Sequence, residues 1–102
     1  MRVPVSLAAA IGERLSWLAA GTIEMLRWAA VLGPEFSVTD LEVVTGQSAA
    51  ELISVIDSAQ AAGVLAEAGT RLAFRHGLIR QTLYERIPAA LRAALHLHAR
   101  PS

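Results

Sequence analysis

The chain has 102 residues, no cysteine, and nine arginines balanced by nine acidic residues for a formal net charge of zero. Hydrophobic residues make up 54% and charged residues 18%, which excludes a disordered polyelectrolyte, because such a chain cannot bury enough apolar surface to offset its ordering entropy. The absence of cysteine excludes disulfides, thiolate metal sites and cysteine nucleophiles, and it fits a reducing, cytoplasmic setting.

One domain is the expectation at this length. Every basic residue is arginine, so there is no P-loop, whose GxxxxGK[ST] pattern needs its lysine, and no Schiff-base chemistry. Balanced charge argues against a dedicated nucleic-acid binder, whose affinity comes from neutralising phosphates. The apolar runs, such as Trp28 to Leu32, are far too short to span a membrane.

In chain order, Met1 to Ile11 superficially resembles a secretion signal, with one arginine before an alanine-rich stretch. Pro4 interrupts it, however, and Leu7, Ile11, Leu15 and Leu18 continue one helical stripe past it. It reads as a first helix from about Ser6, its N-cap, to Ala20. Gly21 is expected to break that helix and Thr22 to cap a second, carrying Ile23, Leu26, Trp28 and Ala30. Gly33, Gly46 and Gly63 each follow an apolar-periodic segment, where a helix end calls for positive φ, and Pro34 sits just beyond the first of them.

Two capping boxes come next. Ser37-Val-Thr-Asp40 opens a short helix with Leu41 and Val44. Ser48-Ala-Ala-Glu51 opens a longer one with Leu52, Val55, Ile56 and Ala59. In each, serine and acid satisfy backbone N–H groups left free at the helix start. Gly46-Gln47 joins them as a helix–turn–helix. Val64 to Glu67, a turn at Ala68-Gly69-Thr70, and Arg71 to Phe74 read as a hairpin. If the second strand runs on, Leu72, Phe74 and His76 share one face and Arg71, Ala73 and Arg75 the other. Leu78, Ile79 and Leu83 then mark a helix ending near Ile87, Pro88 breaks it, and a last helix follows with Leu91 and Leu95. The sum is a mainly α winged-helix fold: a helix–turn–helix, a two-stranded β wing, and extra helices at both ends, in a single domain over residues 1–102.

A winged helix first suggests DNA binding. The helix that would enter the major groove, about Ala49 to Ala62, has Glu51, Ser54, Asp57, Ser58 and Gln60 as its polar positions and no basic residue. Base readout wants cations or amides near the helix start, with flanking cations on phosphates. The wing offers one arginine, Arg71, expected opposite Glu67. Protein contacts are therefore the preferred use of the fold.

The most informative stretch is Leu72-Ala-Phe-Arg-His-Gly-Leu-Ile-Arg-Gln-Thr-Leu-Tyr84, a strand that runs into a histidine with a helix starting at once. It resembles the winged-helix domain that follows the ATPase core in STAND-type (AAA-like) NTPases, most closely that of large bacterial LuxR-family transcriptional regulators and of cyclase-linked relatives. Arg27-Trp-Ala-Ala-Val-Leu-Gly-Pro-Glu-Phe36 is similar to their segment of the same character, and Ala61-Ala-Gly-Val-Leu65 to their entry into the wing. The resemblance covers nearly the whole chain. It implies a module that packs on an ATPase domain, in cis or in trans, and couples ADP or ATP state to regulation. No cofactor is expected on the module alone, and no activity of its own. In the wider family a histidine at this point lies in a Met-His-Asp motif and contacts the β-phosphate of ADP. His76 falls there, but Arg75 replaces the methionine and Gly77 the aspartate, so that aspartate's role has no counterpart here.

Elementary chemistry is compatible with that role. A helix start offers free N–H groups to an anion, and Gly77 allows close approach to the backbone. The helix end disfavours a cationic imidazole and a phosphate favours it, so the contact differs between nucleotide states. The competing reading makes His76 a buried, hydrogen-bonded core residue beside Phe74. Arg75 and Arg80 are possible further cations or plain surface arginines. His96 and His98, two apart on a helix, make a poor metal pair. Trp17 and Trp28 read as core or interdomain packing, and Glu35, Asp40, Glu42 and Glu51 cluster around helix starts without forming an acid–base pair. Serine, histidine and aspartate occur without a nucleophile-elbow context. The abrupt start and the ending Arg100-Pro-Ser fit a module cut from a longer chain. The alternatives are a stand-alone winged-helix transcription factor and a ligand-free interaction or dimerisation module.

Overall fold

The computed structural model describes residues 5–99, with side chains from residue 9 onward. Among these the chain is mainly helical, with a small antiparallel sheet: α1 (Val5–Ser16), α2 (Ala20–Leu32), β1 (Glu35–Phe36), α3 (Val38–Thr45), α4 (Ala49–Ala61), β2 (Leu65–Ala68), β3 (Arg71–Phe74), α5 (Gly77–Glu85) and α6 (Ala89–Ala99). Met1 to Pro4 and Arg100 to Ser102 lie outside the described residues, as does the side chain of Leu7.

Helix α2 is the hub. Met25, Leu26, Ala29, Ala30 and Val31 are buried along it, and Leu15 of α1, Leu41 of α3, Leu52 and Ala59 of α4, Val64, the sheet residues Phe36, Leu65, Leu72 and Phe74, and Ile79 and Leu83 of α5 join them in the core. Burying one such leucine, isoleucine or phenylalanine side chain stabilises the fold by ~1.5–3 kcal/mol. Ala29 and Ala30, in the last turn of α2, are fully buried, and their small side chains let neighbouring elements approach closely.

Both capping boxes form. Asp40 N–H donates to Ser37 Oγ at 3.0 Å and Ser37 N–H to the Asp40 carboxylate at 3.3 Å. Ser48 and Glu51 repeat the exchange at 3.2 and 3.4 Å. The turn between them is tightened by Glu42, whose carboxylate accepts the Ala49 N–H at 3.2 Å. At the end of α4, Gly63 has φ +75°, a conformation that costs a residue with a Cβ roughly 1–2 kcal/mol. It lets Gly63 N–H reach Gln60 O at 3.0 Å and Val64 N–H reach Ala59 O at 2.9 Å, the paired bonds of a Schellman motif. That closure turns the chain straight into β2.

Several expectations are corrected. The helix break comes at Trp17 to Ala19, and Gly21 lies inside α2. Ala19, extended and without a side-chain cap bond, is the N-cap, while Thr22 is buried within the helix. Ser6 lies inside α1 and so does not precede it. The sheet has three strands, not two, in the order β1-β3-β2. The added strand β1 pairs Glu35 with Ala73 and Phe36 with Leu72, and the Phe36 and Phe74 rings meet edge to face at 5.8 Å. Glu67 faces Leu72 rather than Arg71. Arg71 instead pairs with Glu35 at 3.0 Å, both half exposed, a contact worth at most ~1 kcal/mol that nonetheless favours the β1–β3 register. Helix α6 contributes no buried residue, and Leu91 is exposed.

Candidate functional site

Strand β3 ends under restraint from both neighbours. Phe74 N–H donates to Pro34 O and Arg75 N–H to Val64 O, each at 3.0 Å. The strand stops at Phe74, so His76 does not continue its buried face. His76 adopts an extended conformation (φ −138°, ψ 136°) as the N-cap of α5, and its side chain makes no capping hydrogen bond. Ile79 N–H closes the first turn on His76 O at 3.0 Å, and the buried Ile79 and Leu83 pin α5 to the core. Arg75, His76 and Gly77 are all exposed. The buried-histidine alternative is therefore excluded. A Cβ on Gly77 would meet nothing within 4 Å, so this turn is open on the outside.

His76 does not stand on a flat surface. With Leu78 and Ile79 it lines a groove of about 390 Å³ whose other wall is Ala10, Ile11 and Arg14 of α1. The floor is apolar, and an imidazole and a guanidinium stand among the lining groups. Arg14 also reaches over the end of α4: its Nη1 lies 3.2 Å from where a Cβ on Gly63 would stand. Such a groove suits an anion attached to an apolar or planar body. Sequence reasoning missed Arg14, because its place here depends on the packing of α1 against α5, which no local pattern encodes.

The other candidates disperse. Arg80 is not a free cation. Its Nε donates to Ala30 O at 3.0 Å, satisfying one of the carbonyls left unpaired at the end of α2. Its guanidinium and that of Arg92 lie 5.6 and 5.1 Å from the Tyr84 ring centre. Tyr84 Oη bonds His96 Nε2 at 2.6 Å, and His98 packs on Trp28 with ring centres 5.2 Å apart. These contacts, rather than an apolar core, tether α6. Trp28 is half buried, but Trp17 is 80% exposed and so is not a core residue. Among the described residues no cluster of three or more histidine or acidic side chains could hold a metal ion. Among them, too, no helix is long and apolar enough to cross a membrane. No family model, no curated protein and no solved structure matches the chain.

Proposed function

We propose that the chain is a winged-helix regulatory module of a STAND-type, LuxR-like ATP-binding transcriptional regulator, which packs on an ATPase domain in cis or in trans and couples its ADP or ATP state to signalling. The order helix, short strand, helix, helix, hairpin over α2 to β3 supports the winged-helix reading, since β1 closes the sheet that such a fold builds beside its helix–turn–helix. In this account the module works in the cytoplasm, hydrolyses nothing alone and binds no nucleic acid directly. The exposed polar side chains of α4 (Glu51, Ser54, Asp57 and Ser58) include no cation to meet a phosphate.

The observation that carries the reading is His76: an exposed imidazole with no capping bond, at the start of a helix with free N–H groups, on the wall of a groove that also holds Arg14. Helix start, imidazole and guanidinium supply donors for a diphosphate. Arg75 adds a cation beside them, and Gly77 leaves the backbone approachable. A β-phosphate present in the closed state and withdrawn in the open one gives the differential contact a switch requires.

The test places the module together with its ATPase domain and measures release of bound ADP. His76→Ala removes one hydrogen bond to a charged group, worth ~1.5–3 kcal/mol, so release accelerates by roughly ten- to a hundredfold. Unchanged release would instead support a ligand-free interaction module.

A further inference from the structure

Zero net charge conceals a strong segregation. From Trp28 to Thr70 the chain has no arginine, lysine or histidine but six acids, Glu35, Asp40, Glu42, Glu51, Asp57 and Glu67. From Arg71 to Ala99 it has five arginines and three histidines against one acid, Glu85. The fold largely keeps the two sets apart: the acids lie on β1, α3, α4 and β2, and the cations on or beside β3, α5 and α6, with Arg14 added from α1; the two sets meet in the sheet, where Arg71 of β3 pairs with Glu35 of β1. Asp40, Glu51, Glu42 and Glu35 are engaged by caps, by the Ala49 N–H and by Arg71. Among the described residues, Asp57 and Glu67 form neither a hydrogen bond nor an ion pair.

Those two free carboxylates flank a second groove. It lies between α4 and the hairpin, holds about 420 Å³, and has Val38, Ile53, Ile56 and Leu72 among its apolar lining; Arg71 also lines it, but its guanidinium is already paired with Glu35, leaving the two carboxylates in excess. Ile53 is 58% exposed there. The groove therefore calls for a large apolar group carried beside a cation. The molecule displays such a pair elsewhere: Trp17, 80% exposed at the turn after α1, and Arg14, an exposed arginine one helical turn before it. Tryptophan and arginine are the side chains that most often dominate protein interfaces. At zero net charge, no overall repulsion opposes the meeting of two copies.

We propose that a second copy of this chain occupies the groove, seating Trp17 on Ile53, Ile56 and Leu72 and bringing Arg14 to Asp57 and Glu67. Donor and acceptor are different surfaces of one molecule, so the contact is head to tail, and each copy keeps one free donor and one free acceptor. The proposal does not rest on a nucleotide role for His76, but it draws on Arg14, which also lines the His76 groove, so the two engagements of Arg14 exclude one another.

Sedimentation velocity of the purified chain tests it. At low salt the wild type forms species larger than the monomer that grow with concentration. At about 1 M salt, where screening shortens to ~3 Å, they weaken. Trp17→Ala loses the donor and Asp57→Arg/Glu67→Arg loses the acceptor, so each variant alone sediments as a monomer. Mixed, they form a 1:1 dimer that does not extend, because one supplies the intact groove and the other the intact tryptophan. Ile53→Asp serves as a second acceptor variant, and unchanged circular dichroism verifies folding of all of them. A wild type that stays monomeric at submillimolar concentration, single-sided variants that still associate, or a mixture that does not pair would each overturn the proposal.

Discussion

Replacing Phe36 by alanine tests how the short strand β1 supports the candidate site. Phe36 is 1% exposed and its ring meets Phe74 at 5.8 Å. Phe74 is the last residue of β3, two positions before His76, and its N–H is held by Pro34 O. Removing a buried phenylalanine costs ~3–5 kcal/mol, lost transfer energy and cavity together. Stability for a domain of this length is about 5–15 kcal/mol, so the loss is between about a fifth of the total and all of it. Each kcal/mol lowers Tm by about 4–8 °C at this size, so the expected drop is roughly 12–40 °C. Urea and thermal unfolding followed by circular dichroism measure it. A double-mutant cycle with Phe74→Leu should return a coupling of ~0.5–1.5 kcal/mol for the aromatic pair. A loss below ~1 kcal/mol, the centre of the distribution for point substitutions in general, would refute the reasoning. Phe36 would then contribute little, and β3 would be positioned by the hairpin alone.

Three further outcomes are expected. Gly63→Ala destabilises by ~1–2 kcal/mol through its positive φ, whereas Gly77→Ala, with open space around it in the first turn of α5, stabilises by up to ~1 kcal/mol; chemical denaturation of both variants checks the opposite signs. Arg80→Met keeps much of the packing but leaves Ala30 O without its donor, costing ~1–3 kcal/mol by the same assay. A DNA titration at low and moderate salt should show no steeply salt-dependent binding through α4 and the hairpin, and appreciable binding lost on substitution of α4 would favour the transcription-factor reading.

Local chemistry was legible in the sequence. Both capping boxes and the glycines after α2, α3 and α4 depend on residues within four or five positions of one another, and all formed as read; the hairpin formed too, but one residue later than read, with β2 at Leu65–Ala68 and the turn at Gly69-Thr70 alone, which is why Glu67 faces Leu72. What depended on distant packing was not legible. Two residues of β1 show no periodicity, and only Leu72 and Ala73, far along the chain, make them a strand. The break before α2 moved from Gly21 to Trp17–Ala19, since tertiary burial of Thr22 and Met25 outweighed glycine's modest helix penalty. Arg71 and Arg80 found partners at Glu35 and Ala30, again remote in sequence. For the site, the strand-to-helix handover at Arg75-His76-Gly77 was readable, but whether His76 faces inward or outward turned on where β3 stops. Arg14 on the opposite wall was invisible until α1 packed against α5. The charge segregation was countable from the start, but net charge averages it away.

The most direct measurement of the central claim is the structure of the module assembled with its ATPase domain and ADP. The account predicts a His76 ring nitrogen within hydrogen-bond distance, ~2.7–3.2 Å, of a β-phosphate oxygen. An imidazole turned to solvent or to protein, with the diphosphate held wholly by other residues, would contradict it.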